Sequence, residues 1–355
     1  MTDFKIEALL KNVFDTQSSD LHLVVGMPPM LRTQGRLVPM KGVSTLTDEN
    51  AKALVMALMS PKRQELFLKD RELDFSVSLA GIARYRVNTY FQKGTCGAAL
   101  RLIPSKIPTI NSLKLPQICH SLATMKQGFV LVTGPTGSGK SSTLAAIIEE
   151  IINTRAEHIV TIEDPVEFLF QNKKSIFSQR EIGSDTKGWA NALRSVLRQD
   201  PDVVLIGEMR DLETIGAAIT TAETGHLVFA TLHTNSAAQS IDRMVDSFPK
   251  EQQGQVRSQL SSALEAVLSQ RLIPTKDGKR TVATEVMIAT PAVRTNIREG
   301  KIHQLDNIIQ TGAEVGMNLI ESSLASLVKQ GLVETNVALS YSLRPTVLSR
   351  LLGER

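Results

Sequence analysis

Residues 134–141 read GPTGSGKS and follow the apolar run Phe129-Val130-Leu131-Val132. A loop of the form G-x-x-x-x-G-K-[ST], delivered by a buried strand to the start of a helix, cradles the phosphates of a nucleoside triphosphate. Gly134, Gly137 and Gly139 carry no side chain to obstruct a backbone that wraps a polyphosphate. Pro135, Thr136, Ser138 and Ser142 complete the lining, and the N–H groups of the loop meet the positive end of the following helix. Lys140 then reaches the terminal phosphates, and the Ser141 hydroxyl ligates the Mg²⁺ that bridges them. These residues define a site for ATP and Mg²⁺. A bare glycine-rich turn is the alternative, and it would not require the strand, loop and helix order present here.

Three further stretches carry groups suited to phosphoryl transfer. In Thr161-Ile162-Glu163-Asp164-Pro165-Val166-Glu167, three carboxylates lie at the C-terminal end of a strand, where open α/β sheets place their ligands. Glu163, Asp164 and Glu167 there either hold Mg²⁺ through water, position the attacking water, or form a solvated acidic turn. In 200–211, DPDVVLIGEMRD, four apolar residues lead to Glu208. Phosphate-loop proteins use that position for the acid that pairs with Mg²⁺ or polarises water. Gly207 stands where an aspartate is usual, so Glu208 carries the role alone on its strand or shares it with Glu167, while Asp202 sits at the wrong end. In 224–234, TGHLVFATLHT, two histidines bracket a strand. His233, at the C-terminal end, faces the catalytic edge and can sense the γ-phosphate; His226, at the other end, reads equally well as a structural hydrogen-bonder.

Phosphoryl transfer also draws on cations from outside the loop. Arg84, Arg86 and Arg101 fall on expected strands of the N-terminal part, Arg194 and Arg198 are spaced to share one helix face, and Arg210 follows Glu208. Each arginine taken singly is as well explained by solvation or a nearby acid.

The elements that must position these residues follow from periodicity and turn chemistry. Strands are expected over 129–133, 158–163, 202–206 and 227–232, alternating with helices, which implies a parallel sheet covered on both faces. A long helix is expected over Lys140–Asn153, another over Ser258–Arg271 ahead of a strand at Thr281–Met287, and helices at Pro291–Arg298, Ile302–Thr311 and Asn318–Gln330. Upstream, an amphipathic helix (Ile6, Leu9, Leu10, Val13) precedes a strand near Leu21, a hairpin of Met30–Thr33 with Arg36–Met40, a helix capped by Thr47 and a meander over 73–103. The three prolines of 104–116 mark a linker. Residues 1–103 and 117–355 therefore read as two domains.

Composition bounds the function. Of 355 residues, 42% are hydrophobic and 21% charged, as in globular proteins with sizeable cores. Forty basic against 36 acidic residues leave a net charge of +4 without a basic tract, and aromatics make up 4%, with one tryptophan, Trp189. Both features disfavour a surface that stacks single-stranded nucleic acid, and no nucleic-acid partner is expected. Cys96 and Cys119 suit neither a zinc site nor a disulfide framework, which points to a reducing, cytoplasmic compartment. The first residues read as a helix rather than a signal peptide, and the absence of an 18-residue apolar run leaves no expected transmembrane segment.

In order and spacing, GPTGSGKS, TIEDPVEF, DPDVVLIGEMRD and AETGHLVFATLHT resemble the secretion ATPases and, within them, the PilT family of type IV pilus retraction motors. SSDLHL, RYRVNTYFQ and AVRTNIRE at 292–299 extend the resemblance over essentially the whole chain, although Thr295-Asn296 replaces the family's Asn-Leu. The resemblance implies an α/β chain: an N-terminal PAS-like α+β domain, then a RecA-like P-loop ATPase domain with a mostly parallel sheet and C-terminal helices. It implies a homohexamer, with ATP held between the domains, peripheral at the cytoplasmic face of the inner membrane and acting on a pilus platform protein there. It matches Glu163, Asp164 and Glu167 to an aspartate box, with Glu167 a catalytic glutamate. Glu208 matches the Walker B glutamate, His226 and His233 a histidine box, and Arg84, Arg86 and Arg101 arginines that meet phosphates. Retraction is preferred to extension because the extra N-terminal domain and four-cysteine zinc element of extension relatives are missing. An accessory PilU-like paralogue working with a partner ATPase, and more remotely a RecA-like DNA translocase, are the alternatives.

Overall fold

A computed structural model describes residues 5–79, 82–103 and 106–353. The chain forms two compact units, Met1–Lys106 with Pro165–Leu169, and Ile107–Asp164 with Phe170–Arg355. The class is the α/β arrangement expected, an α+β unit followed by a unit built on a mostly parallel sheet.

The first unit opens with α1 (Ile6–Asp15), whose apolar stripe of Ile6, Leu9, Leu10 and Val13 is buried. Strands β1 (Asp20–Leu23), β2 (Met30–Thr33) and β3 (Arg36–Pro39) follow. Gln34 and Gly35 both have positive φ, 50° and 82°, which is what a two-residue hairpin turn needs to match strand twist. Helix α2 (Asp48–Ala57) starts at Thr47, whose side chain accepts from the Asn50 N–H, with Asp48 and Glu49 in the first turn at the positive dipole end. A helix not apparent in the sequence, α3 (Pro61–Asp70), precedes the meander β4 (Glu72–Leu79), β5 (Ala83–Gln92) and β6 (Thr95–Ile103). The six-stranded sheet has the order β3-β2-β1-β6-β5-β4. Leu21, Leu31, Leu100, Val87 and Phe75 pack with both α1 and α2 on one core. Pro104 and Ser105 of the expected linker lie outside the described residues; beyond them Ile110 and Leu115 are buried with Cys119 and Leu122.

The second unit runs α4 (Ile118–Thr124), β7 (Gly128–Thr133), α5 (Lys140–Thr154), β8 (His158–Glu163), β9 (Ile176–Glu181), α6 (Trp189–Val196), β10 (Val203–Ile206), α7 (Leu212–Glu223), β11 (Leu227–Leu232), α8 (Ala237–Asp246), α9 (Lys250–Ala263), β12 (Leu264–Pro274), β13 (Arg280–Ile288), α10 (Pro291–Arg298), α11 (Leu305–Thr311), α12 (Ile320–Lys329), α13 (Thr335–Tyr341) and α14 (Pro345–Leu352). Its sheet has the order β13-β12-β7-β11-β10-β8-β9, parallel throughout except for the antiparallel β12–β13 pair. Alternate residues of each central strand enter different cores. Phe129 and Leu131 pack beside residues of α6 to α10, whereas Val130 and Val132 pack beside those of α4 and α5. That two-sided burial explains why these strands read as unbroken apolar runs.

Two expectations are corrected. The helix expected over Ser258–Arg271 ends at Ala263, and Leu264 onward is β12, paired to both β7 and β13. Leu, Glu, Ala, Gln and Arg there favour helix, but strand pairing on both sides and near-complete burial override that weak preference. Arg194 and Arg198 share no helix face, because α6 stops at Val196 and Arg198 closes a turn onto Ser195 O. Asp200, at φ 52° and preceding Pro201, belongs to an irregular connection into β10.

Candidate active site

Because β7, β11, β10 and β8 are parallel neighbours, their C-terminal ends share one edge of the sheet. The phosphate loop leaves β7 at Gly134, whose φ of 144° and close approach leave no room for a side chain: an added Cβ would lie 2.3 Å from Gln270 O and 2.6 Å from Ser138 Oγ. Gly137 and Gly139 also have positive φ, 79° and 91°. Pro135, Thr136 and Gly137 are exposed, Ser138 and Lys140 buried, and Ser141 and Ser142 half-buried at the start of α5. Ser138 Oγ is buried with no hydrogen bond among the described residues, a polar atom available to an incoming oxyanion.

The Lys140 ammonium folds back onto the loop, donating to Gly134 O at 2.8 Å and Pro135 O at 3.3 Å. It also lies 3.5 Å from His233 Nδ1. His233 follows β11, the strand next to β7, and Thr136 Oγ1 is 3.4 Å from the same Nδ1. His233 Nε2 stands 3.2 Å from Glu208 Oε1, while Arg210 Nη2 donates to Glu208 Oε2 at 3.0 Å. With Nε2–H directed at the carboxylate, Nδ1 is the acceptor that faces Lys140. Burial pushes the Glu208 carboxyl up, but the Arg210 guanidinium and His233 outweigh it and hold the carboxyl below the usual range. The Glu208 segment is tied to β11 by Met209 N–H to Thr231 O and by the Thr231 hydroxyl to Gly207 O. Lys140, His233, Glu208 and Arg210 thus form one chain of contacts across three strand ends.

The other expected residues lie elsewhere. Glu163 ends β8, three strand spacings from β7, or about 14 Å. Its Oε1 accepts from Thr161 Oγ1 at 2.7 Å and from Gln179 Nε2 at 3.1 Å. Asp164 is exposed, and Glu167 is half-buried in the five-residue stretch that belongs to the first unit. His226 sits at the opposite edge of the sheet, 3.0 Å from both Thr224 Oγ1 and Thr221 O. Among the described residues no three His, Cys, Asp or Glu side chains converge to hold a metal. Such an edge fits a cation carried mainly by phosphates and water, as Mg²⁺ is.

In the first unit, Arg84 and Arg86 alternate on one face of β5, with Arg101 opposite Arg86, Asp20 opposite Arg101 and Arg32 opposite Asp20. Arg101 Nε donates to Asp20 Oδ1 at 2.9 Å, and Arg32 Nε lies 3.8 Å from Oδ2. Burial raises the Asp20 carboxyl, yet the Ser19 hydroxyl and Arg101 outweigh it and keep it ionised below the ordinary range. Arg84 donates to Ser76 Oγ, and Arg86 is exposed.

Two features escape motif reading. Gln270 of β12 is buried, donates through Nε2 to Ser138 O at 2.7 Å and accepts from Thr143 Oγ1 at 2.9 Å, so it fixes the loop from the side. Beside it a cavity of about 320 Å³ is lined by Leu113, Leu115, Gly139, Ser142, Leu272 and Lys279, among others. No local signal marks Gln270; only the identity of its strand would have found it.

The family model for type II/IV secretion system proteins matches residues 70–302. The type IV pilus retraction ATPase PilT of Pseudomonas aeruginosa is 49% identical over 316 residues, covering 89% of this chain and 92% of that protein. A twitching motility protein of Neisseria gonorrhoeae is 48% identical over 311 residues, covering 87% and 83%. The type IV pilus ATPase PilU of Pseudomonas aeruginosa is 39% identical over 339 residues, covering 95% and 88%. The crystal structure of the pilus retraction motor PilT with bound ADP superposes with a TM-score of 0.92 at 43% identity, covering 98% of this chain and 100% of that one.

Proposed function

Since the chain belongs to the type II/IV secretion system protein family, we propose that it is an ATP-hydrolysing motor that drives type IV pilus retraction and twitching motility. The single observation that carries the chemistry is the contact chain Lys140–His233–Glu208–Arg210 beside an open phosphate loop. The identity to PilU is lower than to PilT, so the primary motor is preferred to an accessory one.

The triphosphate lies against the loop of Gly134–Ser142, where Lys140 exchanges its bonds to Gly134 and Pro135 for phosphate oxygens. The cavity beside Gly139 takes the adenosine end. Glu208, kept ionised by Arg210 and His233, orients the attacking water, and His233 reports the γ-phosphate to the α8 side of the sheet. Ser141 and Glu208 would hold Mg²⁺, which would supply neutralisation of phosphate charge; Glu163, three strands from β7 and bonded to Thr161 and Gln179, and the exposed Asp164 stand apart from those two residues. The PAS-like domain is assigned to 1–103 and the RecA-like domain to 117 onward, while the compact units themselves divide at 106 and add 165–169 to the first. The motor works as a cytoplasmic homohexamer at the inner-membrane face, against a pilus platform protein. No described helix is long and apolar enough to cross a membrane.

Steady-state hydrolysis of ATP tests the assignment. Lys140→Ala and Glu208→Gln should each lower turnover by about a hundredfold or more. Parental rates in both variants would remove the catalytic reading.

A further inference from the structure

Behind the catalytic edge lies a fully buried polar layer that no motif announces. Glu285 of β13, Ser269 of β12 and Thr133 of β7 stand in register across the sheet, and all three are fully buried. Thr133 immediately precedes Gly134 of the phosphate loop, and its hydroxyl meets Ser269 Oγ at 2.8 Å. From α8, Ser240 Oγ reaches Thr234 Oγ1 at 2.6 Å and Thr133 Oγ1 at 3.5 Å. Thr234 is the residue after His233. Glu285 Oε1 accepts the Ala237 N–H at 2.8 Å, the first N–H of α8, so the His233 loop is pinned at its far end by a carboxylate.

That carboxylate is clamped from the C-terminal helices. Glu285 Oε2 makes no hydrogen bond among the described residues and lies 3.7 Å from Arg344 Nη1. Arg344, between α13 and α14, also donates to Glu321 Oε2 at 3.1 Å and pairs with Asp306. Glu321 Oε1 accepts the Leu343 and Arg344 N–H groups at 2.9 and 2.8 Å, which fixes the strand of chain that presents the guanidinium. A buried ionic cluster is a poor device for stability alone, since apolar packing of the same volume usually does as well or better. Its value here is geometric: a hydrogen-bond acceptor held at a fixed place under the His233 loop.

We propose that Glu285, clamped by Arg344, is a positioning residue for phosphoryl transfer, holding the 233–236 loop through α8 so that the C-terminal helices set the placement of His233. The inference rests on the proposed role of His233 at the γ-phosphate. Glu285 touches no substrate; it acts on the reaction through the backbone of α8.

The test is a double-mutant cycle on the whole 355-residue chain, read as kcat and KM for ATP. Glu285→Met, which removes the acceptor, should lower kcat about tenfold and leave KM within about twofold, the signature of a misplaced group rather than a lost binding contact. Glu285→Gln retains the Oε1 acceptor and should recover most of kcat. In a His233→Ala background Glu285→Met should cause no further loss, because both changes act through one loop. An equal loss of kcat in both backgrounds overturns the inference while leaving His233's own role intact. Parental turnover of His233→Ala overturns the underlying reading instead. Should Glu285→Met not fold, Ser240→Ala replaces it in the same cycle, with a kcat loss of about threefold expected in the parental background only; additivity there overturns the inference equally.

Discussion

Glu208 has both carboxylate oxygens engaged, one by Arg210 and one by His233. Its net pKa displacement is downward, so the ionised form is favoured more in the folded chain than in the unfolded one. The stability this contributes is present above the unfolded carboxyl's pKa and is lost as pH falls through the lower, folded value. Arg210→Met removes the larger of the two opposing attractions and should move the acid limb of the kcat/KM profile for ATP to higher pH; an unmoved limb would show that Glu208 is not the group that titrates. The phosphate loop and Glu208 were legible in the sequence because a short motif and a strand end fix their positions. His233 was legible only as a histidine at a favourable edge. Its two-sided role between Lys140 and Glu208 needed the strand order, which places β11 between β7 and β10. Asp20 appeared in the sequence only as part of SSDLHL, and its partner Arg101 lies 81 positions further along the chain.

The element that sets the site is the strand–loop–helix unit of β7 and α5. β7 is covered on both edges by β12 and β11, so the loop departs from one of the most constrained strands of the sheet. Gly134→Ala would drive a methyl into Gln270 O and demand a backbone conformation that alanine rarely adopts. Strain of about 1–3 kcal/mol is expected, equivalent to roughly five- to 150-fold weaker ADP binding by titration; parental affinity would contradict the close approach. Elements were readable where apolar residues recur with a clear period, as in α1, or where an end carries a cap, as at Thr47 of α2. β12 was not. Leu264-Glu265-Ala266-Val267-Leu268 has helix-forming composition, and a strand buried on both faces shows no alternation to betray it. Misreading that one strand also concealed Gln270, its inward-facing amide.

Each unit of the whole molecule carries its own core. The first unit includes Val166 and Phe168, both buried, from a stretch flanked on either side by the second unit's chain. Phe168→Ala should destabilise the first unit by about 3–5 kcal/mol. Amide hydrogen exchange should then quicken in β5 and β6 while β7 and β11 keep their parental protection; unchanged exchange in β5 and β6 would show that the buried Phe168 ring does not support the first unit. The change from a meander to alternating strands and helices led the sequence reading to expect two domains, and no residue pattern hinted that the chain returns to the first unit for five residues.

That brief return bears on any attempt to trade parts between relatives. A graft cut only near residue 106 would carry an unfinished N-terminal module and leave its missing piece behind in the recipient. Functional hybrids must exchange 165–169 along with 1–106, and substitutions on the two sides of that seam are expected to be accepted together or not at all.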